Sequence, residues 1–202
     1  MPAEFPDLLL PDAAAWRTWL EANHEESPGV RLVLSRKGGT TTTLFYDGAL
    51  DEALCFGWID GQMRRRDERT TYQRFQPRGP RSVWSLRNVG HIERLEREGR
   101  MHAAGRAAVA AAKADGRWDR AYAGPATAEA PPDLLAAIAA VPQAQAMYDV
   151  LTSQNRYALY FRLSQLTTPE ARARSIAAVV DKLARHETPH AQKRSPESPP
   201  RG

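Results

Sequence analysis

The chain has 202 residues, 42% hydrophobic and 26% charged, with a net charge of +4, which suits one ordinary domain or two small ones with a core that needs no covalent staples. No apolar run approaches the roughly 20 residues of a membrane-spanning helix, and the single cysteine, Cys55, excludes an intramolecular disulfide. Glu4, Asp7 and Asp12 surround the short run Leu8-Leu9-Leu10 in place of the basic start of a secretory signal, so the expected compartment is the cytoplasm.

Ala15, Trp16, Trp19 and Leu20 recur at helical spacing and predict a first helix over 12–23. Val30, Leu32 and Leu34 alternate and predict a strand that ends at Gly38-Gly39, with a second strand over Thr41–Tyr46. Helical spacing returns over Asp47–Phe56, where Asp51 and Glu52 read as an acidic first turn and Gly57 as the cap. Trp58–Arg65 and Thr70–Pro77 then form a predicted hairpin whose turn is 66–69. A helix capped by Ser82 or Ser85 and stopped at Gly99 follows, then an alanine-rich helix over 102–115 weakened by Gly105. Prolines and glycines mark 119–132 as a linker. Beyond it the pattern is helical over 133–140, 142–152, 155–166 and 169–186, the last with Thr168 as N-cap and Pro169 at the first position. Strands followed by helices alone predict an α+β protein. A small antiparallel sheet packed with helices occupies 1–118, a helical module 133–188 and a disordered tail 189–202.

Gly61–Asn88 holds eight arginines, Arg64, Arg65, Arg66, Arg69, Arg74, Arg78, Arg81 and Arg87, against Asp67 and Glu68, and no lysine. The stretch alone is more positive than the whole chain, so the basicity is local. A guanidinium grips carboxylate or phosphate at two points and stacks on rings, which an ammonium cannot do. Trp58, just before the stretch, and Tyr72, Phe75 and Trp84 within it supply rings. Trp58, Asp60, Arg74, Arg78, Arg81, Trp84 and Asn88 are therefore the candidate ligand-binding residues, forming an anion-accepting pocket beside the hairpin.

Catalytic patterns are weak. His186-Glu187-Thr188-Pro189-His190 has the letters of the zinc-protease motif, but Pro189 denies it the helix that the spacing requires. Cys55 lies in the apolar run Ala53-Leu54-Cys55-Phe56 and reads as core. No metal and no cofactor is expected.

Asp51-Glu52-Ala53-Leu54-Cys55-Phe56-Gly57-Trp58-Ile59-Asp60-Gly61, Arg74-Phe75, Pro77-Arg78, Arg81-Ser82, Trp84-Ser85, Asn88 and Glu98-Gly99-Arg100-Met101 stand in an order that resembles the bacterial YdeI/OmpD-associated (bacteriocin-protection) family. Asn155-Arg156 and Thr168–Ile176 resemble that family's terminal module, and the likeness runs from about Val30 to His186. The resemblance implies a small bacterial protein linked by name to envelope stress or antimicrobial-peptide tolerance, with no established reaction. The leading expectation is a non-enzymatic protein that binds a small anion, phosphate or carboxylate. Nucleic-acid binding by the arginine face and an enzyme using Asp60 as acid or base are the alternatives.

Overall fold

The computed structural model describes residues 5–196, which form four strands and eight helices in two units divided after Asp119. The first unit contains β1 (Asp7–Leu8), α1 (Ala13–Asn23), β2 (Val30–Ser35), α2 (Tyr46–Cys55), β3 (Trp58–Arg65), β4 (Thr70–Pro77), α3 (Leu86–Arg97) and α4 (Ala103–Ala114). The second contains α5 (Pro132–Ala139), α6 (Pro142–Asp149), α7 (Ser153–Ser164) and α8 (Pro169–Ala184). The chain is α+β, as its pattern predicts. No helix among the described residues is long and apolar enough to cross a membrane.

The sheet has the order β1-β2-β4-β3. β4 lies antiparallel to both neighbours, with Val30 opposite Phe75 and Trp58 opposite Pro77. The edge strand β1 runs parallel to β2, so the sheet is mixed where a purely antiparallel one is expected. Two residues are too few to show a period; tertiary contacts define this strand, Arg31 N–H donating to Pro6 O at 2.9 Å and the Arg31 guanidinium holding Asp7 at 2.6 Å. The hairpin has the predicted bounds. A bulge between Asp60 and Met63 interrupts it, and there the buried Gln73 donates its amide to Gly61 O at 2.8 Å.

The predicted strand over Thr41–Tyr46 does not form. Threonine hydroxyls compete there with a ladder: Thr42 Oγ1 donates to Leu10 O and Pro11 O, and Thr43 Oγ1 to Pro11 O. The segment therefore braces the entry to α1, whose N-cap Asp12 accepts from Ala15 N–H at 2.8 Å.

The core of the first unit is aromatic. Trp16 and Phe75 are fully buried and Trp58 is 1% exposed, with the Trp16 ring 6.1 Å from that of Trp58 and 5.8 Å from that of Phe75. Two of the buried indoles find an acceptor, Trp16 Nε1–H donating to Ala49 O and Trp58 Nε1–H to His24 O.

α2 ends at Cys55 and is closed by Gly57, whose φ of +74° is left-handed, and the chain turns directly into β3. α4 crosses this end at Gly105. A Cβ on Gly105 would stand 2.1 Å from the Cys55 carbonyl oxygen, which also accepts from His102 N–H at 3.0 Å. Gly105 is thus the contact point of two helices, where its sequence position reads as a weakness in one.

In the second unit Leu134, Ile138, Met147, Leu159, Leu163, Val179 and Leu183 form the core. The family-like residues have structural work here. Thr168 accepts from Ala171 N–H, and Arg156 donates to the carbonyls of Tyr148 and Asp149 at the end of α6. Asn155, fully buried, accepts from His190 N–H and donates to His190 O. Residues 189–196, part of the expected disordered tail, include that docked segment; 197–202 lie outside the described residues. α8 stops at Ala184 and His186 is left-handed at φ 61°, so His186–His190 lies past the helix.

Candidate functional site

Of the seven residues expected to share a pocket, Arg78 and Trp84 are in contact, while Trp58, Asp60 and Arg74 have other neighbours. Trp58 belongs to the core, and Asp60 accepts a hydrogen bond from Tyr46 Oη at 2.9 Å. Burial first, and then the Asp60 charge, push the Tyr46 hydroxyl above its ordinary pKa, so Tyr46 stays the donor in this pair. The Arg74 guanidinium lies 5.4 Å from the Phe5 ring centre, and the missing side chain of Gly61 makes room for it: a Cβ there would be 2.7 Å from Arg74 Nε. Arg78 and Trp84 do meet. The guanidinium stacks 3.7 Å from the ring centre and donates to Val83 O at 2.9 Å, clamping the 77–85 loop. Arg81 is exposed in that loop, and Asn88 is buried in the first turn of α3, its N–H bound to the Ser85 hydroxyl. Arg87 pairs with Asp47 at 3.0 Å.

The turn arginines gather instead. Gln62–Arg69 is exposed throughout and carries Arg64, Arg65, Arg66 and Arg69. Asp67 organises the turn, accepting from Arg69 N–H, Thr70 N–H and Thr70 Oγ1–H at 2.8, 2.7 and 2.7 Å. Those bonds hold the Asp67 carboxyl below the usual aspartate range. Arg66 contacts Asp67 at 3.2 Å, whereas Arg64, Arg65 and Arg69 have no ion-pair partner among the described residues. On β4 beside the turn, the Tyr72 ring centre lies 5.5 Å from the Arg31 guanidinium and 5.8 Å from that of Arg66.

A second polar cluster joins α1, α2 and α3. Asp51 receives both bonds of one Arg94 nitrogen, at 2.6 and 2.7 Å, and one from His91 at 2.9 Å. Glu52, with a side chain 8% exposed, is held by Arg17 at 2.9 Å and Arg100 at 2.6 Å. α2 begins at Tyr46, so these acids lie inside the helix and hold ion pairs; the acid of the first turn is Asp47. The motifs Asp51-Glu52 and Glu98-Gly99-Arg100, separate in sequence, form one network here, and in the sequence nothing but their opposite charges points to the pairing. Cys55, beneath it, is fully buried, and burial followed by the nearby Glu52 charge pushes its thiol up to about 11. That thiol is a poor nucleophile at neutral pH.

Burial opposes ionisation of Asp51, but the bonds from Arg94 and His91 outweigh it and hold the carboxyl below the ordinary aspartate range. A depressed folded-state pKa contributes stability that is complete above about pH 4 and lost as pH falls through the folded value. Asp51→Asn is therefore expected to lower stability at pH 7 by about 1–3 kcal/mol and to flatten the fall between about pH 4 and 2, as read by urea unfolding at a series of pH values. An acid limb equally steep in the variant would refute the assignment.

Residues 8–108, half of the chain, match a family model described as a domain of unknown function (DUF8412), and residues 127–186 match the model described as Bacteriocin-protection, YdeI or OmpD-Associated. The chain's segment 127–186 is of the YdeI/OmpD-associated type. Its first unit belongs to the DUF8412 domain family. No curated protein and no solved structure matches the chain. The YdeI/OmpD-associated match covers α5–α8 and contains Asn155-Arg156 and Thr168–Ile176. The motifs of residues 51–61, 74–88 and 98–101 fall in the other match, so the expected likeness from Val30 onward divides between two families. Both the arginine turn and the ion-pair network lie in the DUF8412 domain.

Proposed function

We propose that this YdeI/OmpD-associated protein is a non-enzymatic binding protein that takes an extended polyanion, a nucleic-acid strand, on the arginine turn of the β3–β4 hairpin. The observation that carries this is the exposed run Gln62–Arg69, in which three of four guanidinium groups have no ion-pair partner among the described residues. A projecting turn presents charge to a strand passing over it and does not enclose a small phosphate. Tyr72, flanked by Arg31 and Arg66, supplies a ring on which a base can stack. Asp67, engaged in forming the turn, keeps the arginines close together. A cytoplasmic setting supplies such a strand, and the family's printed name supports a role in bacteriocin protection.

Fluorescence anisotropy with labelled single-stranded and duplex oligonucleotides between about 50 and 200 mM salt tests this, since each neutralised phosphate contributes roughly 0.7–0.9 to the salt slope. Joint replacement of Arg64, Arg65, Arg66 and Arg69 by alanine is expected to reduce that slope by about 3 while leaving the fold intact. A flat salt response in the wild type, or unchanged binding in the variant, would overturn the proposal. Saturable binding of inorganic phosphate that ignores these four residues would favour the small-anion reading instead.

A further inference from the structure

α3 and α4 both pack on α2 and scarcely touch each other, which leaves a hollow of about 300 Å³ between them, near the lower bound for small-ligand sites. Its floor is apolar: Ile92 and Met101 are buried, and Val109, Ala110 and Trp118 complete the lining. Its rims are charged with opposite signs. Glu93 and Glu96 stand one turn apart on α3, and Arg106 and Lys113 lie two turns apart on α4. Opposite charges on neighbouring helices can close as ion pairs, each worth up to about 1 kcal/mol where exposed. Here none joins them: both glutamates lack an ion-pair partner among the described residues, Arg106 donates to Met101 O, and the Lys113 ammonium lies 5.1 Å over the Trp118 ring.

We infer that this hollow binds a short zwitterionic peptide with apolar side chains. The peptide's ammonium meets Glu93 and Glu96, its carboxylate meets Lys113 and the free nitrogens of Arg106, and its side chains cover Ile92, Val109 and Trp118. A ligand with only one charge would leave one rim unsatisfied, and a wholly apolar one would desolvate both. The two ends of a di- or tripeptide are separated by its backbone, as the rims are by the hollow. This surface is distinct from the arginine turn, so neither inference depends on the other.

Calorimetric titration of the full chain with the dipeptide Leu-Leu, and with its N-acetylated and C-amidated forms, tests the assignment. Leu-Leu should bind, each blocked form should bind at least about tenfold more weakly, a difference of about 1.4 kcal/mol, and Glu93→Gln with Glu96→Gln should reproduce the loss seen on N-acetylation. Those two side chains are exposed, so the variant keeps its fold. Val109→Trp, which fills the hollow, should abolish binding. No binding of Leu-Leu at millimolar concentration, equal binding of the blocked forms, or full affinity in the filled variant would each overturn the inference.

Discussion

Gly105→Ala is expected to destabilise the first unit by about 2–4 kcal/mol, although helix propensity alone predicts a gain of about 1 kcal/mol. The sign is decided by the crossing of α4 over the end of α2. An alanine Cβ would stand 2.1 Å from the Cys55 carbonyl oxygen and 2.8 Å from its carbon, both backbone atoms that cannot rotate aside. α4 must therefore withdraw, loosening the His102 N–H bond to the same oxygen and the packing of the buried Ala112. Gly90, on α3, provides the control, because no atom lies within 4 Å of its added Cβ. Gly90→Ala should raise stability by about 0.5–1 kcal/mol. Urea midpoints for the two variants should move in opposite directions, and a Gly105→Ala protein as stable as the wild type would show that the helices do not cross this closely.

The second large effect is expected at Glu52. Its carboxylate is nearly buried and accepts from Arg17 and Arg100, each about one-third exposed. Glu52→Ala leaves two guanidinium groups facing each other without the charge that brought them together. Removing one member of a buried ionic group costs about 3–5 kcal/mol, and partial hydration of both arginines puts the expected loss near the lower figure. Glu52→Gln keeps the volume and two polar atoms and should lose less. Arg17→Ala combined with Glu52→Ala should lose less than the sum of the single changes, because one orphaned charge leaves with its partner. Thermal unfolding of the wild type, the three single variants and the double variant measures this; a loss below about 0.5 kcal/mol for Glu52→Ala, the range of an exposed pair, would contradict the geometry.

Much of the fold was legible in the sequence. The hairpin bounds Trp58–Arg65 and Thr70–Pro77 follow from alternation interrupted by a charged turn, and Thr168 and Ser85, the latter one of two candidates, cap their helices as side chains of their type do. Local rules failed where a distant partner decided the outcome. Thr41–Tyr46 has strand-like residues, but its hydroxyls serve the carbonyls of Leu10 and Pro11 some 30 positions away. Gly105 has the letter of a helix weakener and the environment of a crossing point. Asp51 and Glu52 have the letters of a helix start and the partners of an ionic core.

The candidate site divides in the same way. Its concentration of arginine and aromatic residues between Trp58 and Asn88 was determined by sequence alone, as was the choice of guanidinium over ammonium. Only tertiary structure decided which of those groups remain available. Alternation assigns residues to two faces of a strand without saying which face is covered, and so Trp58 went to the core. Arg78 went onto Trp84, Arg74 onto Phe5 and Arg87 to Asp47, leaving Arg64, Arg65 and Arg69 exposed on the turn. The physical reason is that a charge is as free as its nearest partner allows, and that partner is chosen by folding.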